Sequence, residues 1–92
     1  MPAQVRVHLL TARGMQQKRL EVDVGRGLRL HKLLKRLDKE RVADKGFFRQ
    51  VIKGRQGVTL LLNGERLDIT DMKKTLIRDR DELSVMSPIT GG

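Results

Sequence analysis

Cysteine, tryptophan and tyrosine are absent from this 92-residue chain. Without a thiol it forms no disulfide, no thiolate metal site and no cysteine nucleophile. Phe47 and Phe48 are the only aromatics, so the core has to be aliphatic. The two histidines, His8 and His31, stand far apart in sequence, and no metal site is expected from them. No nucleophile sits beside a base, and a domain this small seldom encloses a water-free pocket. Catalysis by the chain itself is therefore not expected. Long apolar runs are also missing. The purest, Val58-Thr59-Leu60-Leu61-Leu62, falls far short of the ~20 residues of a membrane span. Arg6 and His8 interrupt the first ten residues where a secretory signal would place its apolar centre. These absences predict a cytoplasmic protein with no membrane partner.

What the chain has in excess is positive charge, +9 in all, unevenly placed. Residues 1–25 carry +2, residues 26–55 carry +8 and residues 56–92 carry −1. The 38% hydrophobic content suffices for one sheet packed on one helix.

Val5, Val7 and Leu9 alternate with Arg6, His8 and Leu10, as in a half-buried strand. Residues 11–17 contain Gly14 and read as a hairpin connection. Leu20, Val22 and Val24 then alternate with Arg19, Glu21 and Asp23, which predicts a second strand paired antiparallel with the first. After Gly25-Arg26-Gly27 the period changes. Leu30, Leu33, Leu34 and Leu37 form the single stripe of an amphipathic helix. In residues 41–57, Gly46, Gly54 and Gly57 interrupt the apolar positions. This stretch reads as a connection tucking the phenylalanines against the core edge.

Val58, Leu60 and Leu62 predict a third strand, closed by a tight turn at Asn63-Gly64. A short strand over 66–69, one helical turn within 71–77 and a last strand around Leu83 and Val85 follow. Pro88 stops that strand. A helix on one face of a mixed sheet, with the two terminal strands parallel, is an α+β arrangement of the β-grasp (ubiquitin-like) kind. The body is expected to span residues 1–87, with residues 88–92 as a flexible Gly-Gly tail.

Three segments carry a family likeness: Leu60-Leu61-Leu62-Asn63-Gly64, then Asp79-Arg80-Asp81-Glu82-Leu83-Ser84-Val85-Met86, then Ser87-Pro88-Ile89-Thr90-Gly91-Gly92. Together they resemble the MoaD/ThiS-type ubiquitin-like sulfur carriers, with which archaeal ubiquitin-like modifiers are grouped. The chain departs from that pattern at Arg80, where the family usually has glycine, at Met86 and Ser87, and in its strong positive charge. The resemblance implies a carrier, not an enzyme. A separate adenylating enzyme of MoeB/ThiF-like, ubiquitin-activating type joins the Gly92 carboxylate to AMP, using ATP that the carrier itself does not hold. Attack by sulfur on the adenylate then gives a thiocarboxylate for a sulfur-accepting synthase subunit. Attack by an amine instead gives an amide to a lysine-bearing target. On this reading Gly91 provides clearance in a narrow tunnel, because glycine has no Cβ. Pro88, Ile89 and Thr90 position the tail. Extended at ~3.3 Å per residue, the tail reaches roughly 15 Å.

Two surface features complete the reading. Lys32, Lys35, Arg36 and Lys39 lie opposite the leucine stripe, with only Asp38 and Glu40 nearby. They form either a solvated face, a share of the ion-pair networks that high charge supports, or a patch for an acidic partner or RNA. An alternative function is thus a basic, non-covalent β-grasp binding module. Its RNA contacts go to phosphates and fade with salt, since aromatics for base stacking are lacking. Leu61 and Met86 are expected to point away from the helix-covered face and to dock the activating enzyme.

Overall fold

Period-two alternation decides which side chains meet the helices. The computed structural model describes residues 2–11 and 14–87. Strand β1 (Ala3–Thr11) buries Val5, Val7 and Leu9, which sends Gln4, Arg6, His8 and Leu10 to the opposite face. Strand β2 (Gly14–Val22) pairs antiparallel with β1 as far as Thr11 opposite Gly14. The connection expected over 11–17 is therefore much shorter, because Met15, Gln16 and Gln17 stand in the ladder opposite Leu10, Leu9 and His8. The first half of β2 is mostly exposed at the sheet edge. Backbone pairing holds it there, and it carries no apolar alternation to read.

The phenylalanine segment differs more. Strand β3 (Leu28–Arg29) leads into helix α1 (Leu30–Lys39), whose Leu30, Leu33, Leu34 and Leu37 are all fully buried. A second helix, α2 (Phe47–Ile52), then occupies the stretch expected to be irregular. Its glycines punctuate the helix and do not interrupt it. Gly54, at φ +73°, follows the last turn, and the bonds Gly54 N–H to Val51 O and Arg55 N–H to Gln50 O close a Schellman end. Phe48 and Val51, one turn apart, are fully buried, while Phe47 stacks edge-on against Phe48 at 5.2 Å. Helix α1 ends in the same motif, with Arg41 in the left-handed position at φ +57°. Arg41 N–H bonds Asp38 O and Val42 N–H bonds Leu37 O.

Strand β4 (Thr59–Leu62) turns at Asn63 and Gly64, both at positive φ, into β5 (Glu65–Leu67). The expected helical turn within 71–77 is present as one turn in which Asp71 O accepts the N–H groups of Lys74 and Thr75, and a 3-10 turn over Ile69–Asp71 precedes it. Residues 71–77 also contain β6 (Leu76–Ile77), which pairs with β3. Strands of two residues carry no periodicity, so this small second sheet leaves no sequence signal. It has a structural use. Helix α1 has no side-chain cap at its start; Leu30 N–H bonds Thr75 O and His31 N–H bonds Met72 O. These contacts satisfy amides that a helix start leaves open.

The final strand β7 (Glu82–Met86) runs parallel to β1 and antiparallel to β4, giving the sheet order β2-β1-β7-β4-β5. Parallel terminal strands at the centre, with the helices over one face, make this a β-grasp fold. One continuous aliphatic core joins Val5, Val7, Leu60, Leu83 and Val85 to the α1 leucines and Phe48.

Candidate functional site

The site begins where β7 stops. Ser87 N–H donates to His8 O at 2.9 Å, and the Ser87 hydroxyl oxygen accepts Leu10 N–H at 2.7 Å. The chain is thus tied to β1 through the last described residue. Pro88, Ile89, Thr90, Gly91 and Gly92, the expected tail, lie outside the described residues.

Apolar side chains gather around this exit on the helix-free face. Leu10 is 68% exposed and faces Met15, which is 57% exposed, across the β1–β2 ladder. Met86 lies beside His8 on one side and Thr59 on the other. Leu61 faces Ser84, which makes it the diagonal neighbour of Met86. Leu61 and Met86 do stand on the open face, as their register required, but both are half-buried. The more exposed pair is Leu10 and Met15. Leu10 could have been found as an apolar residue at a position where alternation calls for a polar one. Met15 was hidden inside the supposed connection.

The same face carries cations further from the exit. Arg6 stands between Arg19 on β2 and Ser84 on β7, and its Nε is 2.8 Å from Glu82 Oε1. Arg66 faces Leu61 from β5.

The start of β7 is held by a network centred on Asn63. Its backbone N–H donates to Glu82 O, its side-chain amide donates to Asp81 Oδ1, and its side-chain oxygen accepts Glu82 N–H, all within 2.9 Å. Asp81 also accepts Arg78 N–H at 2.8 Å, closing the loop around Arg80. Arg80 sits at φ +71°, a left-handed conformation in which a residue with a Cβ is strained and glycine is not.

Residues 9–92 match the ThiS family. The chain belongs to that family. Its members are small ubiquitin-like sulfur carriers, not enzymes. The ThiS-family chain is similar in structure to the thiamine biosynthesis protein ThiS of Geobacter metallireducens. The TM-score is 0.51 and the identity 23%, over 95% of this chain and 99% of that one. The Haloferax volcanii HVO 2177 protein has a similar fold, with a TM-score of 0.50 and 21% identity over 98% of this chain and 87% of that one. No curated protein matches the chain.

The opposite, helix-covered side of this ThiS-family protein is basic. Lys32, Lys35 and Lys39 project from α1 into solvent, and none pairs with a carboxylate among the described residues. Arg36 departs from the expected patch, because its Nη1 donates to Asp23 O at 2.7 Å and ties α1 to the end of the hairpin. Helix α2 brings Arg49 and Lys53 alongside Lys35 and Lys39, a neighbourhood the sequence order did not reveal. His31 has its pKa lowered by partial burial first, then by the positive charges of Lys35, Lys32, Lys73 and Arg29.

Among the described residues no cluster of three or more His, Cys, Asp or Glu side chains could hold a metal ion. Nor is any helix there long and apolar enough to cross a membrane.

Proposed function

We propose that the protein is a sulfur carrier whose Gly92 carboxylate is activated in trans by an ATP-dependent adenylating enzyme. One carboxylate oxygen of Gly92 attacks the α-phosphorus of ATP and expels pyrophosphate. Hydrosulfide delivered by a donor then attacks the acyl carbon, the bond from that carbon to the phosphate oxygen breaks as AMP leaves, a proton is released, and a thiocarboxylate results for a sulfur-accepting synthase. Gly91 gives the clearance this requires. Pro88, Ile89 and Thr90 span the distance from the body to the partner's nucleotide site.

The observation that carries this reading is the position of the exit. Ser87 is hydrogen-bonded to β1 beside exposed Leu10. A partner that docks on Leu10, Met15, Met86 and Leu61 therefore meets the tail at a defined point. Removing water from such apolar side chains is what anchors an interface. Fixing the origin of the tail limits how many positions its carboxylate samples.

The test combines the protein with its adenylating enzyme, ATP and a sulfur donor, followed by intact mass measurement. The expected result is a mass gain equal to replacing one oxygen by sulfur, abolished by deleting Gly92. Full function after that deletion, with neither adenylate nor thiocarboxylate formed by the intact chain, would refute the carrier role.

A further inference from the structure

Helices α1 and α2 enclose a groove of about 650 Å³, lined by Lys35, Asp38, Lys39, Arg49, Ile52 and Lys53. Four of these side chains are cations and one is an anion. Asp38 is spent internally: its Oδ1 accepts Gly46 N–H at 2.9 Å, and its Oδ2 lies 3.4 Å from Arg49 Nε. Its side chain is only 9% exposed, so it offers little repulsion to an incoming anion. Lys35, Lys39 and Lys53 pair with no carboxylate among the described residues. The ion-pair explanation of the high charge therefore does not account for this groove.

The spacing is regular. Lys35 and Lys39 are one turn apart on α1, as Arg49 and Lys53 are around α2, which puts the Cβ atoms of like-charged side chains about 5–6 Å apart along each helix. That arrangement is repulsive on its own and gains from a multiply charged anion that bridges the two rows. We propose that this groove, on the helix-covered side of the protein, binds the phosphate backbone of double-stranded nucleic acid.

A duplex fits better than the other anionic partners. Single strands are held by stacking bases on aromatic side chains. Phe48 is fully buried, and Phe47 is packed against it. A protein partner gains most of its affinity from a few desolvated anchor side chains, and Ile52 is the one apolar side chain lining the groove. A duplex backbone needs neither, since cations matched to phosphates supply most of its non-specific affinity.

Fluorescence anisotropy tests this with the full chain and labelled 20-base-pair RNA and DNA duplexes. A poly-glutamate peptide and phosphatidylserine vesicles serve as competing ligands. We expect binding to either duplex at 50 mM salt. Replacing Lys35→Gln, Lys39→Gln and Lys53→Gln together should weaken it at least tenfold. The salt slope should fall by nearly three, at ~0.9 for each phosphate no longer neutralised. The matched control Lys18→Gln, Arg26→Gln and Arg78→Gln removes the same charge from exposed positions outside the groove. An equal loss in that control would show that net charge alone is responsible and overturn the site. So would tighter binding to the peptide or the vesicles, or no duplex binding at 50 mM salt. The two histidines give a second readout by NMR. His31 lies one turn from Lys35 and should shift on duplex addition, whereas His8 belongs to the open sheet face. Movement of His8 alone would place binding on the wrong side. Circular dichroism melts confirm that the exposed substitutions leave the fold intact.

Discussion

The two sides of this β-grasp differ in how they use their charge. On the open sheet, Arg6 is paired with Glu82, and apolar Leu10, Met15, Met86 and Leu61 cluster near the chain exit. On the helix side, Lys35, Lys39 and Lys53 have no carboxylate partner among the described residues, around a groove whose single carboxylate is already engaged. The first surface suits a protein that must be recognised and oriented, and the second suits a polyanion held by charge alone. Both rest on the same aliphatic core, so a substitution beneath one face can separate it from the other.

Phe48→Ala should have the largest effect. It removes the main anchor of α2 in the core, at a cost of about 3–5 kcal/mol in urea denaturation. Hydrogen exchange should quicken in α2 and at the groove before it does in β1 and β7. Uniform acceleration would show that the two sides are not separable. Next, Leu10→Asp with Met15→Asp should raise KM in the adenylation assay about a hundredfold, or ~2.7 kcal/mol. The melting temperature and the affinity for duplexes should not change. A KM that stays level would remove these residues from the docking face.

Asn63→Ala is expected to cost ~1–2 kcal/mol, because Glu82 N–H and Asp81 lose their partner and alanine must hold φ +52°. Smaller effects of opposite sign come from Arg41→Gly at the end of α1 and Arg80→Gly before β7. Each relieves a left-handed residue and should stabilise by about 0.5–1 kcal/mol in the same denaturation experiment. A destabilising result at either position would reveal an arginine side-chain interaction that outweighs the backbone strain.

The smallest effect concerns pH. The folded pKa of His31 lies below its ordinary value of 6.5, so the unfolded chain binds its proton more readily. The stability tied to this group is complete above about pH 6.5 and is lost as pH falls through the lower folded value. His31→Gln should flatten that part of the stability profile. A bound duplex should raise the His31 pKa, since phosphates offset Lys35 and Lys32.

The sequence alone determined the elements whose side chains repeat with a regular period. Val5, Val7 and Leu9 marked β1, the four leucines marked α1, Leu83 and Val85 marked β7, and Asn63-Gly64 marked the turn. Such signals are legible because burial on one face imposes period 2 or 3.6 on neighbouring residues. The order of these elements was enough to imply the β-grasp. The tertiary structure decided what depends on distant parts of the chain meeting. It made Gly46 and Gly54 the ends of a helix, and it drew Arg36 away to Asp23. It exposed Leu10 and Met15 across a hairpin, and it set Arg49 and Lys53 beside Lys35 and Lys39. Ladder register and helix–helix packing create those neighbours, and neither leaves a repeat in the local order of residues.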